Sequence, residues 1–90
     1  MDVFFKGRFI KDFKRLPKDI KKDAREFCFL VAPKAENLSD LKANSLKKIK
    51  GFKNYYRVRI GDYRIGFKKV KNQIIFMRVL HRKDIYKLFP

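Results

Sequence analysis

Residues 55–67 decide the fold, and they read Tyr-Tyr-Arg-Val-Arg-Ile-Gly-Asp-Tyr-Arg-Ile-Gly-Phe. Apolar and polar residues alternate on both sides of Gly61-Asp62, a two-residue Gly-X sequence typical of β-hairpin turns. A turn at these two residues fixes the strand register, with Ile60 opposite Tyr63 and Tyr56 opposite Phe67. One face of the predicted hairpin is then suited to a core, and it consists of Tyr56, Val58, Ile60, Tyr63, Ile65 and Phe67.

The other face of this hairpin is strongly basic, and it carries Tyr55, Arg57, Arg59, Arg64, Gly66 and Lys68. The register places Arg59 directly opposite Arg64, although like charges facing each other on a sheet are destabilising. A sheet that needed only solubility would mix positive and negative side chains. Three guanidinium groups, with a glycine leaving space beside them, therefore predict a binding site for a polyanion.

The length and composition indicate one folded domain over residues 1–90. A hydrophobic content of 46% argues against disorder, although 38% of the residues are charged. No apolar run approaches the ~18 residues of a membrane span, and a signal-peptide layout is absent. We therefore expect a cytoplasmic protein without a membrane partner. One cysteine, Cys28, and one histidine, His81, also lead us to expect no metal site and no cofactor.

Positive charge is the strongest feature of the composition, with a formal net charge of +16. From Leu41 to Lys83 the chain has 14 Lys and Arg, whereas Asp62 is the single acidic residue there. Such a surface favours polyanionic partners. Two kinds of partner fit it, namely a nucleic acid and an acidic protein that masks the charge.

Hydrophobic spacing and prolines predict the other elements. A strand over residues 2–6 precedes a helix that ends at Pro17, and a second helix runs from 18 to about 31 and ends before Pro33. Residues 37–42 contain a helical turn, and Leu46, Ile49 and Phe52 are expected to anchor the next segment to the core. A strand over 74–80, apolar enough to be covered on both faces, precedes a short helix over 81–88. That helix should direct Ile85, with Leu88 or Phe89, inward.

These elements predict an α+β domain in which an α-helical hairpin packs on an antiparallel sheet. The order is β-α-α-β-β-β with a short C-terminal helix. The register of the final strand cannot be set, because its residues do not alternate.

Two segments carry a resemblance to a known family. The first is Leu46-Lys47-Lys48-Ile49-Lys50-Gly51-Phe52 running into the hairpin, and the second is Val79-Leu80-His81-Arg82-Lys83-Asp84-Ile85-Tyr86. Together with the order of elements, they resemble the RelE/ParE superfamily of bacterial and archaeal toxins over nearly the whole chain.

This resemblance implies a toxin of a type II toxin–antitoxin system, neutralised by an acidic, RelB-like antitoxin. The RelE branch cleaves messenger RNA, typically on the ribosome and without metal, which implies mRNA and the ribosome as further partners. The catalytic residues implied by position are Arg57, Arg59, Arg64, Arg82 and Tyr86. The ParE branch shares the fold but targets DNA gyrase and does not use this basic set.

Metal-free RNA cleavage needs a base for the 2′-hydroxyl, cations for the phosphorane and an acid for the departing 5′-oxygen. The hairpin arginines suit the second task, since guanidinium groups bind phosphate oxygens bidentately. Family relatives often carry lysine at the positions of Arg57 or Arg59, and arginine is a poor base because it stays protonated. The base is therefore Tyr86 or His81, with Arg82 near the leaving oxygen.

Five lysines of this half are predicted to bind or steer RNA, and Tyr55 is predicted to stack on a base. The predicted RNA-binding residues are Lys47, Lys48, Lys50, Lys53, Tyr55 and Lys68. Three simpler roles compete with these assignments: a solvated basic face for the arginines, helix capping or packing for His81, and a place at the core rim for Tyr55. At the level of function, a ParE-like gyrase inhibitor and a non-catalytic RNA-binding domain are the alternatives to an endoribonuclease.

Overall fold

The structure, a computed structural model, describes the backbone of the whole chain and every side chain except those of residues 42–44. A π-helical turn (Phe27–Val31) follows the second helix, and a 3-10 helix (Leu38–Asn44) precedes the second strand. The other elements in chain order are β1 (Asp2–Phe5), α1 (Gly7–Lys14), α2 (Lys18–Glu26), α3 (Ala32–Lys34), β2 (Lys47–Lys48), β3 (Tyr55–Ile60), β4 (Tyr63–Val70), β5 (Gln73–His81) and α4 (Arg82–Leu88).

The five strands form one sheet in the order β1-β5-β4-β3-β2. The predicted α+β class and order of elements are confirmed, with two changes of detail. The sheet is mixed and not wholly antiparallel, because β1 pairs in parallel with β5 and places Phe5 opposite Phe76. The long helical connection after β1 permits this direction, which a tight turn would not. The two-residue strand β2, which the sequence did not predict, pairs with β3 and extends the far edge.

The predicted register of the β3–β4 hairpin is confirmed at every pair, including Arg59 opposite Arg64 and Arg57 opposite Gly66. Gly61 adopts a φ of +59°, which is the left-handed conformation that a glycine tolerates at the first position of such a turn. The apolar face lies in the core, where Val58, Ile65 and Phe67 are fully buried. Alternation in the sequence thus positions all three hairpin arginines on the opposite face.

The helices α1 and α2 form the predicted hairpin on the core face of the sheet. Pro33 does not end the second helical segment as predicted, since helix continues through Ala32–Lys34. In a regular α-helix the ring of Pro33 would collide with the carbonyl four residues earlier. The chain widens into the π-helical turn just before it, and the Ala32 N–H donates to the Phe27 carbonyl. This wider turn accommodates the proline without ending the helix.

The strand β5 lies between β1 and β4, so it is an interior strand, as predicted. Its register changes at a bulge: Arg78 pairs with Gly66, Phe76 pairs with Phe67, and Met77 is left between them. Past this bulge, His81 pairs with Tyr63. An apolar run without alternation gives no indication of a bulge, which is why the register could not be set in advance.

The helix α4 covers the other face of the sheet. Ile85 and Phe89 are buried, whereas Leu88 is 52% exposed, so of the two predicted alternatives Phe89 packs inward. Its ring lies directly on Gly66, where an added Cβ would come within 2.6 Å of the ring. The space beside Gly66, which we expected to serve a polyanion, is therefore filled by Phe89.

An ion pair joins α1 to β5 on the core side of the bulge. Arg78 Nε lies 2.8 Å from Asp12 Oδ2, and the same carboxylate oxygen accepts the Val79 N–H at 3.1 Å. Both side chains are largely buried, and the hydrogen bond to Asp12 raises the pKa of Arg78. Arg78 therefore stays charged at every pH at which the protein is folded.

Phe52 differs from its prediction, because it does not anchor the segment before β3 to the core. Its side chain is 49% exposed, whereas Leu46 and Ile49 are partly buried. Across the part of the chain that the structure describes, none of the helices has the length and apolar character needed to cross a membrane.

Candidate functional site

The hairpin arginines line a cleft of about 150 Å³ on the face of the sheet that carries α4. Strand parity explains their arrangement: Arg57 and Arg59 lie two residues apart on β3, and Arg64 lies opposite Arg59 on β4. Lys47 joins them because β2 pairs it with Arg57. The residues around this cleft, which we call the arginine cleft, are Ser45, Lys47, Arg57, Arg59, Arg64 and Tyr86.

The backbone of the hairpin tip holds one of the three guanidinium groups. Arg64 Nη1 donates to the carbonyl oxygens of Gly61 at 3.1 Å and Tyr63 at 3.0 Å. These two carbonyl dipoles offset part of the repulsion from Arg59, which lies directly opposite and is exposed. Arg64 is thereby held in one orientation with its remaining nitrogen atoms available to a ligand.

Tyr86 brings the C-terminal motif to the cleft. The Arg57 guanidinium carbon lies 4.5 Å from the centre of the Tyr86 ring, in a cation–π arrangement. Two contacts position α4 for this: the Arg82 N–H donates to the Asp62 carbonyl at the hairpin tip (2.8 Å), and Ile85 is buried beneath the helix. Of the three C-terminal candidates, Tyr86 is thus the one that meets the hairpin arginines.

Arg82 lies beside the cleft and is not part of its lining. It is exposed at the first turn of α4, four residues before Tyr86, so both side chains project from the same face of that helix.

His81 is not brought together with the arginines. It pairs with Tyr63, which belongs to the core face, and the two rings meet edge to face with centroids 5.3 Å apart. Its Nδ1 accepts the Lys83 N–H at 3.2 Å and so caps α4. The position of His81 thus matches the capping and packing role that competed with the catalytic one.

The residues predicted to bind RNA fall into three groups. Lys47 lines the cleft, while Lys48 pairs with Tyr56 and so lies on the opposite side of the edge strand. Lys50 and Lys53 are exposed in the loop between β2 and β3. Tyr55 and Lys68 pack together beside the cleft, since Lys68 Nζ lies 5.6 Å from the centre of the Tyr55 ring.

Two residues of this region escaped the sequence analysis. Ser45 lines the cleft from a left-handed conformation with φ of +58°, and neither its type nor its neighbours indicates this. Phe52 was assigned to the core because large apolar residues are usually buried. The nearby Lys50 and Lys53 were the features of the sequence that indicated an exposed position for Phe52.

The cleft is strongly positive and its cations lack acidic partners. Among the side chains that the structure describes, the one salt bridge is Arg78–Asp12, on the other side of the sheet. Four cations, Lys47, Arg57, Arg59 and Arg64, thus surround a small space on strands that hold them rigidly. Such an arrangement can bind a phosphate and stabilise extra negative charge on it.

Comparison with known proteins relates the whole chain to one group of toxins. Residues 3–86 match the family described as ParE toxin of type II toxin-antitoxin system, parDE. The chain is 47% identical over 93 aligned positions to Toxin RelE3 of Methanocaldococcus jannaschii, with all of both chains covered. Among solved structures, the chain is similar to one from the RelB-RelE antitoxin-toxin complex of Methanococcus jannaschii, with a TM-score of 0.78 and 45% sequence identity. The match covers 98% of this chain and 100% of the other. The archaeal RelE-RelB complex from Pyrococcus horikoshii OT3 shares the fold, with a TM-score of 0.72 at 22% identity and coverage of 90% and 93%.

Proposed function

Because the chain belongs to the RelE/ParE family of toxins from type II toxin–antitoxin systems, we propose that it is an endoribonuclease. Its substrate is messenger RNA, cut on the ribosome in the cytoplasm. The reaction uses the 2′-hydroxyl of the RNA as nucleophile and the protein's own side chains as catalysts.

The observation that carries this proposal is the arginine cleft. Three guanidinium groups and an amine converge there with the side chain of a tyrosine. A solvated basic face would spread its cations apart, whereas here Arg59 and Arg64 face each other at an electrostatic cost. A phosphate bound between them offsets that cost.

In this mechanism the arginines stabilise the transition state. As the 2′-oxygen attacks phosphorus, a second negative charge develops on the non-bridging oxygens of the phosphorane. Arg57, Arg59 and Arg64 donate N–H groups to those oxygens, and the strands and hairpin carbonyls hold the donors in place before the substrate binds.

Tyr86 is the candidate base and His81 is the weaker alternative. The Tyr86 ring lies against Arg57, and its side chain lines the cleft in which the phosphate is proposed to bind. His81 uses Nδ1 to cap α4 and packs edge to face against Tyr63 on the other face of the sheet. Arg82, on the Tyr86 face of α4, is the cation that we propose neutralises charge on the departing 5′-oxygen, which takes its proton from water.

Cleavage of a defined messenger on programmed ribosomes tests this proposal. The wild-type protein should produce site-specific cuts that leave 2′,3′-cyclic phosphate ends. Arg57→Ala should lower the single-turnover cleavage rate about 10²- to 10³-fold, since it removes one preorganised donor to the phosphorane. Tyr86→Phe should lower it too, whereas His81→Asn, which keeps a helix cap, should cleave at the wild-type rate.

The matched control is Arg15→Ala, because Arg15 is exposed at the end of α1, away from the cleft. Its cleavage rate should not change. Intact RNA with the wild-type protein would contradict the proposal, and stalled gyrase in the same preparation would favour the ParE-like alternative. Cuts in free RNA at the same rate would remove the ribosome from the mechanism.

The partner proposed for this chain is an acidic antitoxin with an amphipathic helix. The helix hairpin carries an apolar groove of about 290 Å³, lined by Phe5, Phe9, Ile10, Phe13, Cys28 and Phe29. Ile10 and Phe29 are 45% and 54% exposed, and two cations lie over the Phe13 ring, Lys21 and Arg25. An apolar helix face with acidic flanks fits this groove in both shape and charge. The Methanococcus jannaschii relative was solved in complex with RelB.

Co-purification with the product of the adjacent gene tests the groove. Phe29→Glu should weaken the complex, because it places a carboxylate against the apolar face of the partner. Leu88→Glu changes an equally exposed apolar residue on the other side of the sheet and should leave the complex intact. Equal affinity of wild-type protein and Phe29→Glu would exclude this groove as the docking surface.

A further inference from the structure

An aromatic cluster adjoins the arginine cleft on the same face of the sheet. The ring centroids of Phe52 and Tyr55 are 6.2 Å apart, and those of Tyr55 and Phe89 are 5.7 Å apart. Phe89 is buried and Tyr55 is partly buried, so Phe52 presents the open surface of the cluster. The proposed cleavage mechanism uses none of these rings.

The surroundings of Phe52 favour a nucleic acid over a protein as its partner. The exposed Lys50 and Lys53 flank it in the chain, and Lys68 Nζ lies over the adjacent Tyr55 ring at 5.6 Å. Lysine is depleted in protein–protein interfaces. An exposed aromatic ring between cations is instead the combination with which proteins hold single-stranded nucleic acids.

The distance from the aromatic cluster to the cleft suits an extended strand. Tyr55 and Arg57 lie two residues apart on one face of β3, which corresponds to about 6.7 Å. A phosphate and the base of a neighbouring nucleotide in an extended strand can span a distance of this order. A base that has left the stack exposes a face that an aromatic ring can cover.

We propose that Phe52, supported from behind by Tyr55, is a stacking platform for one base of the substrate. That base belongs to a nucleotide next to the phosphate in the arginine cleft. The inference rests on the proposed function, since it takes single-stranded RNA as the ligand of the cleft. The platform offers no hydrogen-bonding groups of its own, so it selects for an unstacked base and not for a particular one.

Binding of non-cleavable RNA tests the platform separately from catalysis. The probe is a short 2′-O-methyl oligoadenylate, together with versions in which one abasic nucleotide is moved along the strand. The wild-type protein should bind the complete strand more tightly than the strand with the abasic nucleotide at one position. Phe52→Ala should lose roughly 5- to 100-fold in affinity for the complete strand and nothing for that abasic strand. Phe52→Tyr keeps an aromatic face and should retain wild-type affinity.

Phe4→Ala is the matched control, because Phe4 on β1 is 48% exposed against 49% for Phe52 and lies at the opposite edge of the sheet. It should bind both strands as the wild-type protein does. If Phe52→Ala lowers the affinity for complete and abasic strands equally, or lowers neither, the proposed platform is refuted. A weaker antitoxin complex with unchanged RNA affinity would overturn it in favour of a protein surface.

Arg57→Ala distinguishes the platform from the function on which it rests. It should weaken binding of complete and abasic strands by the same factor, since it contacts phosphate. If Arg57→Ala binds RNA as the wild-type protein does, the cleft does not hold RNA and the proposed function fails. If Arg57→Ala is weakened and Phe52→Ala is not, the cleft stands and the platform alone is refuted.

Discussion

At the scale of single residues, Gly66 shows how closely α4 is fitted to the sheet. A Cβ at this position would come within 2.6 Å of the Phe89 ring, so Gly66→Ala must displace the ring. We expect a loss of about 1–3 kcal/mol in the free energy of unfolding, which is typical of added volume in a packed site. Denaturant unfolding monitored by circular dichroism measures it.

Gly7→Ala is the control for Gly66→Ala, because nothing lies within 4 Å of its added Cβ. It should leave the stability unchanged or raise it by about 0.4–1 kcal/mol. Equal stability of the two variants would show that Phe89 is not seated on Gly66.

Cys28 provides a second prediction at this scale. Burial raises the pKa of its thiol, so the thiol stays protonated in the folded protein at alkaline pH. An unfolded cysteine loses its proton near pH ~8.5. The unfolded state therefore binds fewer protons above that pH, and the contribution of Cys28 to stability falls as pH rises.

Alkylation with iodoacetamide should accordingly be slow in the folded protein and fast in denaturant. The free energy of unfolding should fall less between about pH 8 and pH 10 in Cys28→Ala than in the wild-type protein. Rapid labelling of Cys28 under native conditions would contradict this account.

At the scale of elements, the β3–β4 hairpin combines a stable register with an unfavourable charge pair. Arg59→Gln removes one of two facing cations, so it should raise the free energy of unfolding by about 0.2–1 kcal/mol. The same substitution should reduce cleavage of ribosome-bound messenger, because a donor to the phosphate is lost. Thermal unfolding and cleavage rates, measured on the same preparation, check both effects.

Lys22→Gln, an equal loss of charge on the exposed side of α2, serves as the control for Arg59→Gln. Lys22→Gln should change the free energy of unfolding and the cleavage rate much less than Arg59→Gln does. A less stable Arg59→Gln protein would mean that the arginine makes a favourable contact in the folded state.

The same elements explain what the sequence could and could not reveal. The hairpin register was predictable because alternation and a Gly-Asp turn specify it locally. The register of β5 was not, since the bulge at Met77 lies in an apolar run and is set by packing on both faces. For the same reason the meeting of Tyr86 with Arg57, and the separation of His81 from it, required three-dimensional information. Phe52 was misassigned because hydrophobicity alone does not distinguish a core anchor from an exposed side chain.

At the scale of the whole molecule, the net charge of +16 links stability to RNA binding. Added salt screens the repulsion among like charges, so the folded protein should become more stable as ionic strength rises. RNA affinity should fall over the same range. Each phosphate of a single-stranded RNA that the protein's cations neutralise should add about −0.7 to the slope of the logarithm of the association constant against the logarithm of salt concentration.

The salt dependence of a variant that lacks one cleft cation tests whether the RNA binds at the cleft. Arg57→Ala should make the slope shallower by about 0.7, whereas Arg15→Ala, outside the cleft, should leave it unchanged. Equal slopes for the wild-type protein and Arg57→Ala would place the bound RNA elsewhere on the surface.

The Asp12 carboxylate has a consequence that reaches beyond the single chain. The strand β1 pairs with β5 only as far as Phe76, so the last part of β5 has no neighbouring strand on that side. There the Asp12 carboxylate accepts a hydrogen bond from the Val79 N–H and forms an ion pair with Arg78. A bare strand edge is a template on which another molecule can add a strand and begin to aggregate. One acidic side chain therefore occupies a backbone donor that an added strand would need in order to pair with this edge.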